Sequence, residues 1–315
     1  MRRTLILSLV AGLAGVLLTA GGAGATAPGG AALASQHPVV VAQRSDHTVQ
    51  SQHMPTRILS LSPSATEMLY AIGAGRQVVG VDKYSTWPAD APRTSFTGYE
   101  SSAEGYLPLH PDLVVLAFDT TNLVAQLRAL HIPTLLLQPA TTIAGAESQI
   151  TELGQATGHR VGASRTIATL NRDLSRSVAS AKGRGRGATY YVEIDPTYYS
   201  ATSHTFIGAL FARFGMRNIA DKAARLSAGY PQLSAEYVLT ANPDYVVLAD
   251  TVCCRQSEKT FAARPGFSTL RAVRLHHVVA VNDSIASEWG PHSLEIFIAA
   301  IADALDGRPI PTTAR

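Results

Sequence analysis

The chain has 315 residues, of which 46% are hydrophobic and 16% charged, with a formal net charge of +3 and two cysteines. That length suggests about two domains, and the low, nearly balanced charge argues against an acidic disordered chain or a surface that coats nucleic acid. Two cysteines cannot build a disulfide scaffold or a four-cysteine zinc site, so apolar burial must hold the fold.

In chain order, Met1-Arg2-Arg3 gives a positive start, Leu5 to Leu18 is almost wholly apolar, and Ala23-Gly24-Ala25 is the best cleavage candidate. Residues 1–25 therefore read as a secretory signal peptide, because the apolar run is shorter than the roughly 18 to 20 residues that span a bilayer. Its removal takes two arginines and no acid, leaving a mature charge of +1. The expected product is exported, periplasmic or extracellular, and soluble after cleavage. Residues 26–56, rich in Ala, Gly, Ser, Gln and His, read as a flexible leader, and His37, His47 and His53 lack ligand-like spacing.

Ile58 to Leu61 reads as a buried strand, Ser62-Pro63-Ser64 as a turn and cap, and Ala65 to Ile72 as a helix closed by Gly73. Ser64 and Glu67 fit a capping box. Val78 to Asp82 is a second strand, followed by the aromatic loop Tyr84-Ser85-Thr86-Trp87-Pro88. Residues 103–112 lead into the strand Leu113 to Ala117, and residues 235–244 lead into Tyr245 to Ala249 at a constant displacement of 132 residues, pairing Glu104 with Glu236, Pro111 with Pro243 and Asp112 with Asp244. Between them, Ile167, Leu170, Leu174 and Val178 mark one amphipathic helix, which ends at Gly183-Arg184-Gly185-Arg186-Gly187. The fold class is thus α/β: two Rossmann-like lobes with mainly parallel sheets, 57–160 and 184–305, joined by a single long α-helix, 161–183, with a tail at 306–315. Ligands of such sheets sit beyond the carboxyl ends of the strands, which places the site in the cleft between lobes.

No Walker loop, nucleophile elbow or H-E-x-x-H occurs, and Gly73-Ala74-Gly75 ends a helix instead of opening one. His276-His277 enters a strand, where neighbouring side chains diverge. No catalytic residue, cofactor or metal site is assigned, and the weight shifts from an enzyme to a binding protein.

Three stretches carry a resemblance: Arg57 to Glu67, Gly80 to Pro88 and Leu109 to Val114. With Tyr230 to Glu236, Asn242-Pro243-Asp244 and Trp289-Gly290-Pro291-His292, they resemble the cobalamin, ferric-siderophore and haem class of substrate-binding proteins that serve ABC importers. The resemblance spans roughly 57–305 and implies a corrinoid in the cleft, with a ferric siderophore or haem as the alternative and an exported metal-site protein or enzyme as a further one. It also implies delivery to an ABC permease by a monomer, with Glu104 and Glu236 as docking charges; helix chemistry is their competing explanation, since Ser101 precedes Glu104 by three residues and Ser234 precedes Glu236 by two. No cysteine follows the signal, so a lipid anchor is not expected.

The candidate ligand contacts are aromatic: Tyr84, Trp87, Tyr99 and Phe118 in the first lobe, and Tyr198, Tyr199, Tyr230 and Trp289 in the second. Flat faces with polar tips suit a large macrocycle, whereas the lack of a basic patch counts against nucleic acid. His204 or His292 becomes a candidate axial ligand if the cargo is haem. Cys253-Cys254 follows a strand at the proposed cleft; a vicinal disulfide stapling a turn is the favoured reading, with two free thiols and a ligand-contacting or redox-labile loop as the others.

Overall fold

Short apolar strands alternate with helices in both halves, and every ladder between named strands is parallel. The computed structural model describes residues 54–100, 102–223 and 229–309. The predicted signal peptide, the leader up to residue 53, Ser101 and the last six residues of the tail lie outside the described residues.

The first sheet has the order β2-β1-β3-β4, from β1 (Ile58–Leu61), β2 (Val78–Val81), β3 (Leu113–Leu116) and β4 (Thr134–Leu136). The second repeats it as β6-β5-β7-β8, from β5 (Thr189–Glu193), β6 (Arg217–Asn218), β7 (Tyr245–Leu248) and β8 (Val278–Ala280). The N-terminal lobe carries helices α1 (Pro63–Ala71), α2 (Leu123–Ala129) and α3 (Ile143–Ala156); α4 (Arg160–Ser180) follows as the connector. Beyond it lie α5 (Phe206–Arg213), α6 (Ala235–Ala241), α7 (Glu258–Ala262), α8 (Arg271–Arg274), α9 (Asp283–Ser287) and α10 (Pro291–Leu305).

The 132-residue repeat has a physical cause. Its helical part is a 3-10 helix at Ala103–Leu109 in one lobe and α6 in the other, and both end in a left-handed residue, His110 and Asn242. The aspartate that follows then ties down the head of each lobe's first strand. Asp112 accepts from the Thr56 amide and hydroxyl at 2.8 Å, and Asp244 accepts from the Thr189 amide and hydroxyl at 2.8 and 2.9 Å.

One face of each sheet is covered within its own lobe, by the 3-10 helix and α2 in the first and by α6 and α7 in the second. The other faces share one core. Leu69 and Ile72 of α1, Ile150 and Leu153 of α3, Leu170 and Leu174 of α4, Phe211 of α5, and Phe297 and Ile301 of α10 are buried together in it. The connector supports this because its apolar stripe is continuous: Ala163, Leu170 and Leu174 are buried while Val161 is exposed. Its close approach to α1 requires a glycine, since a Cβ on Gly162 would lie 1.9 Å from the Ile72 carbonyl oxygen.

One local expectation is corrected. Ser62, not Ser64, caps α1, accepting from the Ala65 amide at 3.3 Å with Pro63 next in line. The expected partners Ser64 and Glu67 reach instead into the other lobe, as described below.

Candidate functional site

The carboxyl ends of both sheets open onto a hollow of about 300 Å³. Pro139 and Ala140 after β4 line it from the N-terminal lobe. Ile194 after β5, Phe206 and Ile207 at the start of α5, Tyr230, Ala249 after β7, and Ala286 and Ser287 of α9 line it from the other, with Trp289 at the base. The lining is mainly apolar and aromatic, with the Ser287 hydroxyl and one carboxylate, Asp283. That acid is already committed: its oxygens accept from the Val252 and Cys253 amides at 2.9 and 2.7 Å and so fix the loop after β7.

Cys253 also lines this hollow, and it is joined to Cys254 by a vicinal disulfide.

The eight aromatic candidates divide by environment. Tyr230 and Trp289 line the hollow, and burial pushes the Tyr230 phenol up. Tyr84 after β2, Phe118 after β3, Tyr99 stacked on Phe118 at 5.9 Å, and Tyr199 after β5 stand on loops beyond the strands' carboxyl ends and are 39% to 54% exposed. Large apolar rings left in water on the same edge of two sheets are what a broad ligand would cover. Tyr198 packs instead against the C-terminal lobe's second core, with the Arg264 guanidinium 5.4 Å above its ring. Trp87 lies where the lobes join, stacked on His292 at 4.7 Å, and borders a separate hollow with Arg165 and Asp173 of α4.

Behind the pocket the C-terminal lobe buries a charged cluster. Arg264 grips Glu193 through two bonds of 2.7 and 2.5 Å, and Glu193 is wholly buried. Asp250 is equally buried, with neither oxygen hydrogen-bonded among the described residues. Burial, then the charge of Glu193, push its pKa up to about 7.

At the lobe junction, Ser64 accepts from the Trp289 amide at 3.1 Å, and the Trp289 indole donates to Gln149 Oε1 of α3 at 2.7 Å. Glu67 of α1, almost fully buried, accepts from the Ser293 amide at 3.0 Å and hydroxyl at 2.6 Å.

Glu104 and Glu236 are both exposed, each in the first turn of the equivalent helix of its lobe. Ser102 caps the first helix by accepting from the Glu104 amide, while the predicted cap Ser101 lies outside the described residues. Ser234 caps the second, and hydrogen bonds from the Glu236 amide and the Ser234 hydroxyl lower the Glu236 carboxyl pKa.

Residues 58–284 match the sequence pattern of the periplasmic binding proteins. The chain belongs to that family. This binding protein is 28% identical over 268 residues to an uncharacterized ABC transporter substrate-binding lipoprotein of Bacillus subtilis, covering 82% of each chain. It is 31% identical over 274 residues to a cobalamin-binding protein of Halobacterium salinarum, covering 83% of this chain and 73% of that one. Among solved structures it superposes on a periplasmic heme-binding protein from Roseiflexus with a TM-score of 0.68 at 25% identity, covering 79% of this chain and 98% of that one. These likenesses agree with the paired parallel sheets, and with the family expected from the quoted motifs.

Sequence reasoning found the strand ends but missed several side chains that line the hollow. Ile194, Ala249 and Pro139 directly follow or adjoin strands, so the carboxyl-end rule applied residue by residue would have named them. Asp283 gave no such signal, because it clamps a loop some 30 residues away in sequence.

Proposed function

We propose that the protein is exported, captures a corrinoid in the inter-lobe cleft, delivers it to the permease of an ABC importer, and performs no covalent chemistry. The lining of the cleft carries the corrinoid reading. Apart from Ser287, Cys253 and a single carboxylate, the residues lining the hollow are apolar or aromatic, and none is a lysine or arginine. A corrinoid presents a broad ring edged mainly with neutral amides, which such a surface accepts. The carboxylates of haem, or of many ferric chelates, would be desolvated there without a cation to pair with. The cobalamin-binding relative from Halobacterium salinarum supports the same choice.

Delivery needs orientation, and the exposed Glu104 and Glu236 supply one negative charge per lobe at equivalent positions. Two fixed charges on a stiff body set the docking register and speed encounter more than they add affinity. The test is to incubate the protein with cyanocobalamin, haem and a ferric siderophore separately, desalt, and record visible spectra. Retention of cyanocobalamin alone is expected. Retention of haem or the siderophore in its place, or turnover of any of them, refutes the reading.

A further inference from the structure

Three acids meet at the junction of the lobes without lining the ligand pocket. Glu67 comes from α1, Asp82 from the end of β2, and Glu288 from the residue after α9. Ser293 of α10 links two of them, its hydroxyl lying 2.6 Å from Glu67 Oε1 and 3.3 Å from Glu288 Oε2. The remaining neighbours leave no counter-charge in place. Asp82 is buried and held by the Ser85 amide and hydroxyl at 2.9 and 2.5 Å. From α3 comes the neutral Gln149, occupied by Trp289, and from α10 comes His292, stacked on Trp87. Glu295 of α10 borders the separate hollow with Arg165 and Asp173 of α4. Neither Glu67 nor Glu288 is in a salt bridge among the described residues.

Two carboxylates sharing one hydroxyl, Glu67 buried and Glu288 half-buried, cannot both stay ionised at ordinary cost without a cation. One serine hydroxyl supplies only one proton for both. The backbone also makes room for this pair: a Cβ on Gly290 would lie 2.2 Å from Glu67 Oε2 and 2.6 Å from Glu67 Cβ.

We propose that Glu288 is protonated and donates to the Glu67 carboxylate, so that this shared proton pins the two lobes together and positions Trp289 at the base of the ligand pocket. Glu288 sits between Ser287 and Trp289, which both line that pocket. Burial first, then the charge of Glu67, push the Glu288 pKa up to about 9. Glu288 and Glu67 are positioning residues. The positioning of a ligand rests on the functional reading above; the shared proton does not.

The sign of the pH dependence follows from linkage. An unfolded glutamate loses its proton near pH 4.3, roughly, while folded Glu288 keeps it to about 9. Between those values the folded state binds one proton more, so stability declines as pH rises and levels off above about 9.

The experiment compares the melting temperature of the full protein with Glu288→Gln and Glu67→Gln from pH 5 to 10. Glu288→Gln keeps a donor without a titrating proton. The native protein is expected to lose roughly 5 to 10 °C between pH 6 and 9 through this group. Glu288→Gln should abolish that loss, and Glu67→Gln should end it at a lower pH. Parallel curves for all three proteins would overturn the proposal. If Glu288→Gln fails to fold, infrared absorption of a protonated carboxyl at pH 8 in Asp250→Asn, which removes the other buried acid raised to about 7, decides: present in support and absent in refutation. Cyanocobalamin retention over the same pH range tests the pocket arm: it should fall near pH 9 in the native protein and persist in Glu288→Gln. The same retention profile in both would overturn the positioning role. Expected melting curves without retention by either protein would reject the ligand reading and leave the shared proton standing.

Discussion

Replacing Gly162 by alanine sets a known gain against a measurable clash. Glycine inside a helix costs roughly 0.5 to 1 kcal/mol relative to alanine, so on propensity alone Gly162→Ala should stabilise α4. The new Cβ, however, would lie 1.9 Å from the Ile72 carbonyl oxygen and 2.8 Å from its carbon, where real Cβ contacts essentially never fall below 3.0 Å. The atom met is backbone and cannot rotate away, so α4 and the end of α1 must part by about 1 Å. A gap of that size forfeits roughly a quarter to a half of each dispersion contact along the seam. It also strains the 3.0 Å bond from Thr166 Oγ1 to the Ala71 carbonyl. Overpacking of this kind costs about 1 to 3 kcal/mol, occasionally more, which outweighs the helical gain. The net expectation is a loss of about 1 to 2 kcal/mol, or roughly 2 to 8 °C in melting temperature by scanning calorimetry. Gly145→Ala in α3 is the control, since its nearest contact would be Thr142 Oγ1 at 3.2 Å, and it should melt at or slightly above the parent. A Gly162→Ala protein that melts as high as the parent would refute the claim that this close approach holds connector and lobe together.

Two further outcomes are expected. Reversing Glu104 and Glu236 together to lysine should abolish uptake in a transport assay while leaving ligand retention and melting unchanged; lost retention would mean that these acids serve the cleft. Replacing Arg264 with methionine strands Glu193 beside Asp250, both fully buried, and should cost about 3 to 5 kcal/mol in denaturant unfolding, with partial recovery when Glu193→Gln is added.

The sequence carried the architecture because periodicity reports burial. The buried runs of β1, β3 and β7 read as strands, the stripe of α4 as one helix, and the 132-residue repeat as two lobes on one plan. It carried the cleft's position because ligands follow the carboxyl ends of parallel strands. It failed where a residue satisfies a local rule and a distant partner alike. Ser64 and Glu67 have the spacing of a capping box, but Ser62 and Pro63 begin the helix two residues earlier and free both for contacts some 225 residues away. Trp87 and Tyr198 stand in the right loops, yet His292 and Arg264 claim their faces, and neither pairing leaves a trace in local pattern. Tyr84, Tyr99 and Phe118 stay largely exposed because their ring partners, Lys83 for Tyr84 and one another for Tyr99 and Phe118, come from their own lobe.

The shared core has a consequence for how loading is sensed. With α1, α3, α4 and α10 packed into one body and Trp289 tied to both lobes, the cleft is built by the fold itself. Little free energy is then spent on reshaping the receptor when cargo arrives, so capture should behave as a single encounter step. Under the proposed function, two lobes joined this tightly would offer the permease much the same outline with and without cargo. On the proposed function, discrimination must then come from the exposed face of the cargo itself, between Glu104 and Glu236.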